Sequence, residues 1–308
     1  MPPATPPSKI NASRFYVEWA GHPLEDLKTA LALIRDASLE RPIVYFAGDS
    51  SLDNKAWVPS AGPGGEPLPT DVPEIYQAFL QPPRPKPDVA FWLNHILGKK
   101  ATVLNAAVEA SLLRHRDDKL LPHDEFIRDN IGADDILVVS VGANDIALSP
   151  TISTMRHVFH LAWLTPFRHI KNGSASSLSY FKTMFHDQMK SYISRLVSET
   201  KPKAVIPCMI YFPLEHNPAA PQESWAEPQL KMLGYNRDPA QLREAIKKMY
   251  EQATAKVEIE GTKVVPCALF EAMDGKEAKD YTARVEPSAQ GGRKMAELIA
   301  KKIEEAIE

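Results

Sequence analysis

Five short runs rich in β-branched and other apolar residues recur along the chain: Ile43 to Ala47, Thr102 to Asn105, Ile136 to Val141, Ala204 to Tyr211 and Lys263 to Cys267. At least one amphipathic helical stretch separates each from the next. Nearly continuous apolar strands need cover on both faces, and helical spacers are what parallel strands require to be joined. The pattern predicts a three-layer α/β/α fold around a five-stranded parallel sheet. Helices are predicted from Leu24 to Arg35, after Asp88 as a cap with Val89, Trp92, Leu93 and Ile96 on one face, from Ser177 to Glu199, from Pro239 to Lys256, and from Pro287 to Ile307. The 308 residues would suffice for two domains. The unbroken alternation predicts one, over 41–308, with 1–40 as an N-terminal extension and helix packed on it.

Apolar residues at 44% and charged residues at 24% exclude wholesale disorder. Lys plus Arg (36) nearly balance Asp plus Glu (39), so the basic footprint expected of a nucleic-acid binder is missing. No apolar run approaches the roughly 18 to 20 residues of a membrane span. Met1 to Lys9 is proline-rich, without the pattern of a secretory signal. A cytoplasmic protein is expected, with a small-molecule partner and neither nucleic acid nor membrane. Cys208 and Cys267 have no metal or disulfide spacing and are expected to be core residues.

In a doubly wound sheet the ligand sits beyond the carboxyl ends of the strands. After the first run stand Gly48, Asp49 and Ser50; after the second, Asn105-Ala106-Ala107-Val108-Glu109-Ala110; after the third, Gly142-Ala143-Asn144-Asp145. A serine delivered by a buried strand into a tight turn is placed to project its Oγ into the crevice, and an Asn amide can donate to a developing oxyanion. Singly, each is an ordinary turn sequence. Together and in this order they resemble the SGNH (GDSL) hydrolase superfamily, a flavodoxin-like α/β/α fold of esterases, lipases, thioesterases and acyltransferases. The resemblance covers Pro42 to Glu308. It implies Ser50 as nucleophile, Asn144 as oxyanion donor, and Ala110 N–H in the place of a glycine.

The last block departs from that family. Where Asp-x-x-His is expected before the final helix, the chain reads Ala283-Arg284-Val285-Glu286-Pro287-Ser288. Glu286 stands in the histidine's place and Ala283 in the aspartate's. The ending also resembles a little-characterised subgroup in which this Glu is a regular feature. A carboxyl starts near 4.3 against about 6.5 for imidazole, so Glu286 needs burial to serve as a base near neutral pH, while pairing with Arg284 would work against it. Alternatively a histidine supplies the base: His216, after the fourth run, is preferred over His157 and His160.

The reading is an ester or thioester hydrolase of small or medium acyl substrates, with Ser50, Ala110, Asn144 and either Glu286 or His216 in the site and no cofactor or metal. Two alternatives share the crevice: a non-hydrolytic enzyme (elimination, isomerisation or cyclisation) with Glu286 as general base, and a non-catalytic binding protein. Asp53 reads as a cap and Lys55 as a solvated lysine. Asp280 lies too far before Glu286 to replace the missing aspartate, and Trp57 and Trp225 suit either a pocket or the core. Of the 27 prolines, nine fall between Pro59 and Pro87 and four between Pro213 and Pro228. The segments 59–87 and 212–228 are therefore predicted as semi-rigid lid loops over Ser50.

Overall fold

A computed structural model describes residues 8–37, 41–59 and 67–307. Five parallel strands form the sheet: β1 (Ile43–Gly48), β2 (Thr102–Asn105), β3 (Ile136–Ser140), β4 (Ala204–Met209) and β5 (Lys263–Val264). Their spatial order is β2-β1-β3-β4-β5, and a further short strand, Cys267–Ala268, prolongs the last position against β4. Every residue of β1 to β4 is buried, as expected for strands covered on both faces. Cys208 and Cys267 are both buried and face one another in register.

The first crossover steps outward from β1 to β2, and the remaining three step the other way. Right-handed crossovers in opposite directions put their helices on opposite faces, so the chain becomes three layers. Val89–Leu97 covers one face beside the C-terminal helix Ala289–Ile307, whose buried stripe of Gly291, Gly292, Met295, Ala296, Ile299 and Ile303 packs against it. Pro122–Asn130, Met189–Leu196 and Pro239–Gln252 belong to the crossovers of the other. Strand order reverses at β1, which leaves a crevice where the carboxyl ends of β1 and β3 part.

Three helical expectations are corrected. The stretch from Ser177 is interrupted: a short helix at Ser179–Lys182 and a wider, π-type turn at Thr183–Gln188 precede Met189–Leu196. Pro287 does not open the last helix. With Glu286 it forms a short strand antiparallel to Tyr281–Thr282, and the helix begins at Ala289. Pro239–Gln252 stops short of Lys256, which lies in a separate 3₁₀ turn.

The two proline-rich segments part ways. In the first, 60–66 lie outside the described residues. Its Glu74–Phe79 helix buries Ile75, Tyr76 and Phe79, and its Leu80–Gln81 strand pairs with Ile10–Asn11. These contacts dock it on the N-terminal segment, and none of 67–87 lines the cavity at Ser50. In the second, Pro213, Trp225 and Ala226 do line that cavity.

The close of β1 is a steric fixed point. Gly48 has φ of 138°, and a Cβ there would stand 1.9 Å from the carbonyl oxygen of Ser140, its partner on β3. Its own carbonyl accepts from Val108 N at 3.0 Å, Ser111 Oγ at 3.0 Å and Arg116 Nη2 at 3.2 Å. The Gly48→Ala variant is expected to lose about 3 kcal/mol of stability or more, through backbone strain and displacement of β3. Urea unfolding measures this, and a loss under about 1 kcal/mol would contradict the geometry.

Candidate active site

The loops after β1 and β3 line the crevice, and the loop after β2, whose Ala110 is not among the lining residues, is tied to both through Ser111. Asp49 Oδ1 accepts from Ser51 N at 3.1 Å and from Ser51 Oγ at 2.7 Å, closing the turn that carries Ser50. Asn144 Nδ2 donates to Ser111 O at 3.1 Å, and Asp145 Oδ2 accepts from Leu113 N at 2.7 Å. Both residues of the β3 loop therefore hold the loop after β2. Arg116, buried and paired with Asp124 at 2.8 Å, braces the same loop from behind.

Ala110 sits in that loop with φ of 57°. The left-handed region costs a residue with a Cβ about 1 kcal/mol or more, which is why glycine suits the position. Backbone conformation is the constraint there. Neither Ser50 N–H nor Ala110 N–H donates a hydrogen bond among the described residues, and Asn144 Nδ2 retains a second hydrogen beyond the one given to Ser111.

Glu286 arrives from the opposite side on the hairpin of Tyr281–Thr282 and Glu286–Pro287. Two consecutive residues in the left-handed region, Ala283 and Arg284, make the turn. The side chain is 2% exposed. Its Oε1 accepts from Trp225 Nε1 at 3.1 Å, and its Oε2 is buried with no hydrogen-bond partner among the described residues. Burial pushes the carboxyl from its ordinary 4.5 up to about 7, with a further push from the charge of Asp49. The Ser50 hydroxyl and Trp225 lie close enough to oppose part of the rise. No aligned hydrogen bond yet joins Ser50 to Glu286; such contacts often tighten only with substrate bound.

Arg284 does not disturb this arrangement. Its buried guanidinium turns away to Glu227 at 2.5 Å, Asn236 Oδ1 at 2.9 Å and Leu214 O at 2.9 Å. Sequence adjacency leaves that choice open, and the left-handed turn decides it.

Glu109 is the functional candidate that sequence reasoning passes over. Trp57 Nε1 donates to its Oε1 at 2.9 Å, while its Oε2 is buried without a partner among the described residues. Burial, and next the charge of Glu286, push its pKa up to about 8. Two indole N–H groups thus hold two neighbouring carboxyls, each with one oxygen unpaired. Burial and mutual repulsion therefore keep the pair from carrying two full charges near neutrality. Asp49 is a third perturbed acid, raised by burial to about 6 with its Oδ2 unpartnered.

Asp53 and Lys55 depart from expectation. Both are fully buried and paired at 2.6 Å, and Asp53 Oδ2 also accepts from Gly21 N at 2.7 Å and Glu109 N at 2.8 Å. Water is excluded from this pair by the N-terminal segment, and Asp53 positions the backbone of Glu109. Asp280 is likewise structural, buried and paired with Lys294 at 2.6 Å.

Ser50, Asn144 and Glu286 line one cavity of about 110 Å³ together with Asp49, Ser51 and Trp225. Beyond them its wall is almost wholly apolar, built by Val158, Leu161, Phe181, Leu230, Ile246 and Met249 among others. The volume is somewhat below the about 150 Å³ of an engineered apolar cavity that takes benzene, so a short chain or small ring fits. His216 is not among the lining residues: it is exposed, in an open outer groove with Trp57, Trp225 and Ala283. His157 stacks on Tyr180 at 4.4 Å and His160 is exposed; neither lines the cavity. No cluster of three metal-ligating side chains occurs among the described residues.

No family model and no curated protein matches the chain. Solved structures that align with it include a Streptococcus pneumoniae protein provisionally described as a platelet activating factor (14% identity, TM-score 0.39, covering 90% of this chain and 92% of that one). Phospholipase A1 from Streptomyces albidoflavus aligns at 9% identity and TM-score 0.40, over 86% and 99% of the two chains. A salicylyl-acyltransferase from a tetracycline biosynthetic pathway aligns at 12% and 0.39, over 86% and 55%. These likenesses are remote, and the fold rests on the strand order itself.

The raised pKa of Glu286 has a thermodynamic consequence. Below about pH 4.5 the carboxyl is protonated whether folded or unfolded and costs nothing. Between about 4.5 and 7 unfolding releases its proton, so stability falls as pH rises, and above about 7 the full cost, on the order of 3 kcal/mol, is present. Glu286→Gln is therefore expected to match the parent near pH 4 and to exceed it by about 1 to 3 kcal/mol at pH 8. Urea titrations at the two pH values measure the difference. A Gln variant less stable at pH 8 would show that Glu286 is a structural carboxylate.

Proposed function

We propose that the chain is an ester or thioester hydrolase of the SGNH type that uses Glu286 where related enzymes use histidine. The observation that carries this reading is the cavity: apolar along its length, with Ser50, Asn144 and a carboxyl of pKa about 7 at its polar end. Apolar walls suit an acyl chain, and the three groups suit attack on its carbonyl.

In the proposed reaction Glu286 takes the Ser50 proton as Oγ bonds to the carbonyl carbon. The carbonyl electron pair moves to oxygen, where Ser50 N–H, Ala110 N–H and Asn144 Nδ2 receive the negative charge. Collapse expels the alcohol or thiol, which takes the proton from Glu286, and water repeats the cycle on the acyl-enzyme. A general base works best with a pKa near the working pH, and desolvation brings Glu286 there. The neighbouring Glu109, its carboxyl also raised by burial and by the charge of Glu286, limits the charge that the two carboxyls hold together. No cofactor enters this chemistry.

A non-hydrolytic reaction at Glu286 makes the opposite demand of Ser50, so one set of variants decides. With a short-chain nitrophenyl ester or thioester, Ser50→Ala is expected to abolish turnover and Glu286→Gln to lower kcat by about 10² to 10⁴. Asn144→Ala is expected to lower kcat by about 10² to 10³. The kcat profile should rise through about pH 7 as Glu286 ionises. Full activity in Glu286→Gln would remove Glu286 as the base, and turnover surviving in Ser50→Ala would remove the acyl-enzyme.

A further inference from the structure

Seven of the eleven large apolar side chains that stand exposed among the described residues fall within the twenty positions from Leu148 to Phe167. They are Leu148, Ile152, Met155, Phe159, Trp163, Leu164 and Phe167, with Ile152 at 83% and Leu164 at 60% exposure. Ile152, Met155 and Phe159 are spaced by three and four residues, which aligns them along one side of the helix Ile152–Phe159. The other side of the same segment carries Thr154, Val158 and Leu161, all buried, and Val158 and Leu161 form part of the wall of the Ser50 cavity. The segment is thus apolar on two sides: one faces the candidate acyl site, and the other is open to solvent in large part, with Trp163 resting against Met232 and Gly234.

Charge is distributed just as unevenly. Not one Asp or Glu occurs from Ile146 to His186, where the chain's average would place about five. Arg156, Arg168, Lys171 and Lys182 lie in that stretch, with His157, His160, His169 and His186. Arg156, Arg168 and Lys171 are exposed and form no ion pair among the described residues. This local surplus of cations stands on a chain whose net charge is -3. An apolar stripe flanked by unpaired cations has the composition of a helix that lies in the headgroup layer of an anionic membrane. Trp163, half exposed with its indole N–H bonded to Met232 O at 2.8 Å, suits the boundary between acyl chains and headgroups.

We propose that the outer face of Leu148 to Phe167 docks on a lipid surface carrying anionic headgroups, and that the substrate is an acyl ester delivered from that surface. The absence, among the described residues, of any helix able to cross a membrane leaves this open, because a helix lying in the interface spans nothing. The expectation of no membrane partner rests on spans alone. Docking would bring the inner wall, Val158 and Leu161, within one helix diameter of the lipid. The docking half stands independently; the substrate half rests on the hydrolase reading above.

Sedimentation of the full chain with vesicles tests the docking. Binding is expected to vesicles of mixed phosphatidylglycerol and phosphatidylcholine, and to weaken with salt and on pure phosphatidylcholine. A Phe159→Glu, Leu164→Glu double variant should bind about tenfold or more weakly, and Arg156→Glu, Arg168→Glu should lose the preference for phosphatidylglycerol. All four side chains are exposed, so the thermal midpoints of both variants should equal the parent's. Ser50→Ala should bind as the parent does. No binding, or binding that the Phe159/Leu164 variant retains in full, overturns the proposal. So does a lipid-free dimer that this variant dissociates without any vesicle binding, since the face would then belong to a second copy. Hydrolysis of a soluble ester without vesicle binding removes the docking and keeps the hydrolase; vesicle binding without hydrolysis of any ester does the reverse.

Discussion

Desolvation of carboxyl groups governs this crevice. Asp49, Glu109 and Glu286 each keep one buried oxygen without a partner among the described residues, and in each case burial is the largest cause of a raised pKa. A buried charge without full compensation destabilises the fold, so such groups persist where the surrounding structure imposes them. Here the imposition is traceable: Trp225 and Trp57 each satisfy one oxygen, Asp53 fixes the backbone at Glu109, and beyond the left-handed turn at Ala283 and Arg284 the Arg284 guanidinium pairs elsewhere. The outcome is a carboxyl pushed by burial toward the range of an imidazole, beside a serine at the end of a buried strand. On this account, what a histidine has by its own chemistry, Glu286 acquires from its surroundings.

Much of the scaffold is legible from residue order because the physics is local. β-Branched runs bounded by turn residues mark buried strands, and in a parallel sheet whose order reverses at β1 the loops after β1 and β3 must adjoin. Ser50 and Asn144 stand out on that ground from residue order alone. The rest depends on partners far apart in sequence. Glu109 is held by Trp57, 52 residues away, and its charge is coupled to Glu286 across most of the chain. Lys55, an ordinary surface residue by type, is buried because the N-terminal segment folds over Asp53. Nor does helical periodicity reveal the wider turn that interrupts the stretch after Ser177, since one extra residue in a turn preserves the apolar pattern on either side.

The apolar cavity and the exposed stripe share one short segment. A helix with a single apolar side would serve as a wall and nothing more, and one isolated exposed side chain would need no explanation. Ile152–Phe159 has two apolar sides, one toward the cavity and one toward solvent amid unpaired cations, so a wall of the site and the exposed stripe belong to one element.

The central claim is that Glu286, raised by burial, activates Ser50. Its most direct test is the rate at which a fluorophosphonate labels Ser50 as a function of pH, followed by mass spectrometry of the intact chain. The account expects labelling that rises with pH through a midpoint near 7 and is slowed about a hundredfold or more in Glu286→Gln. Labelling that is independent of pH between 5 and 9, or equally fast in the Gln variant, would contradict it.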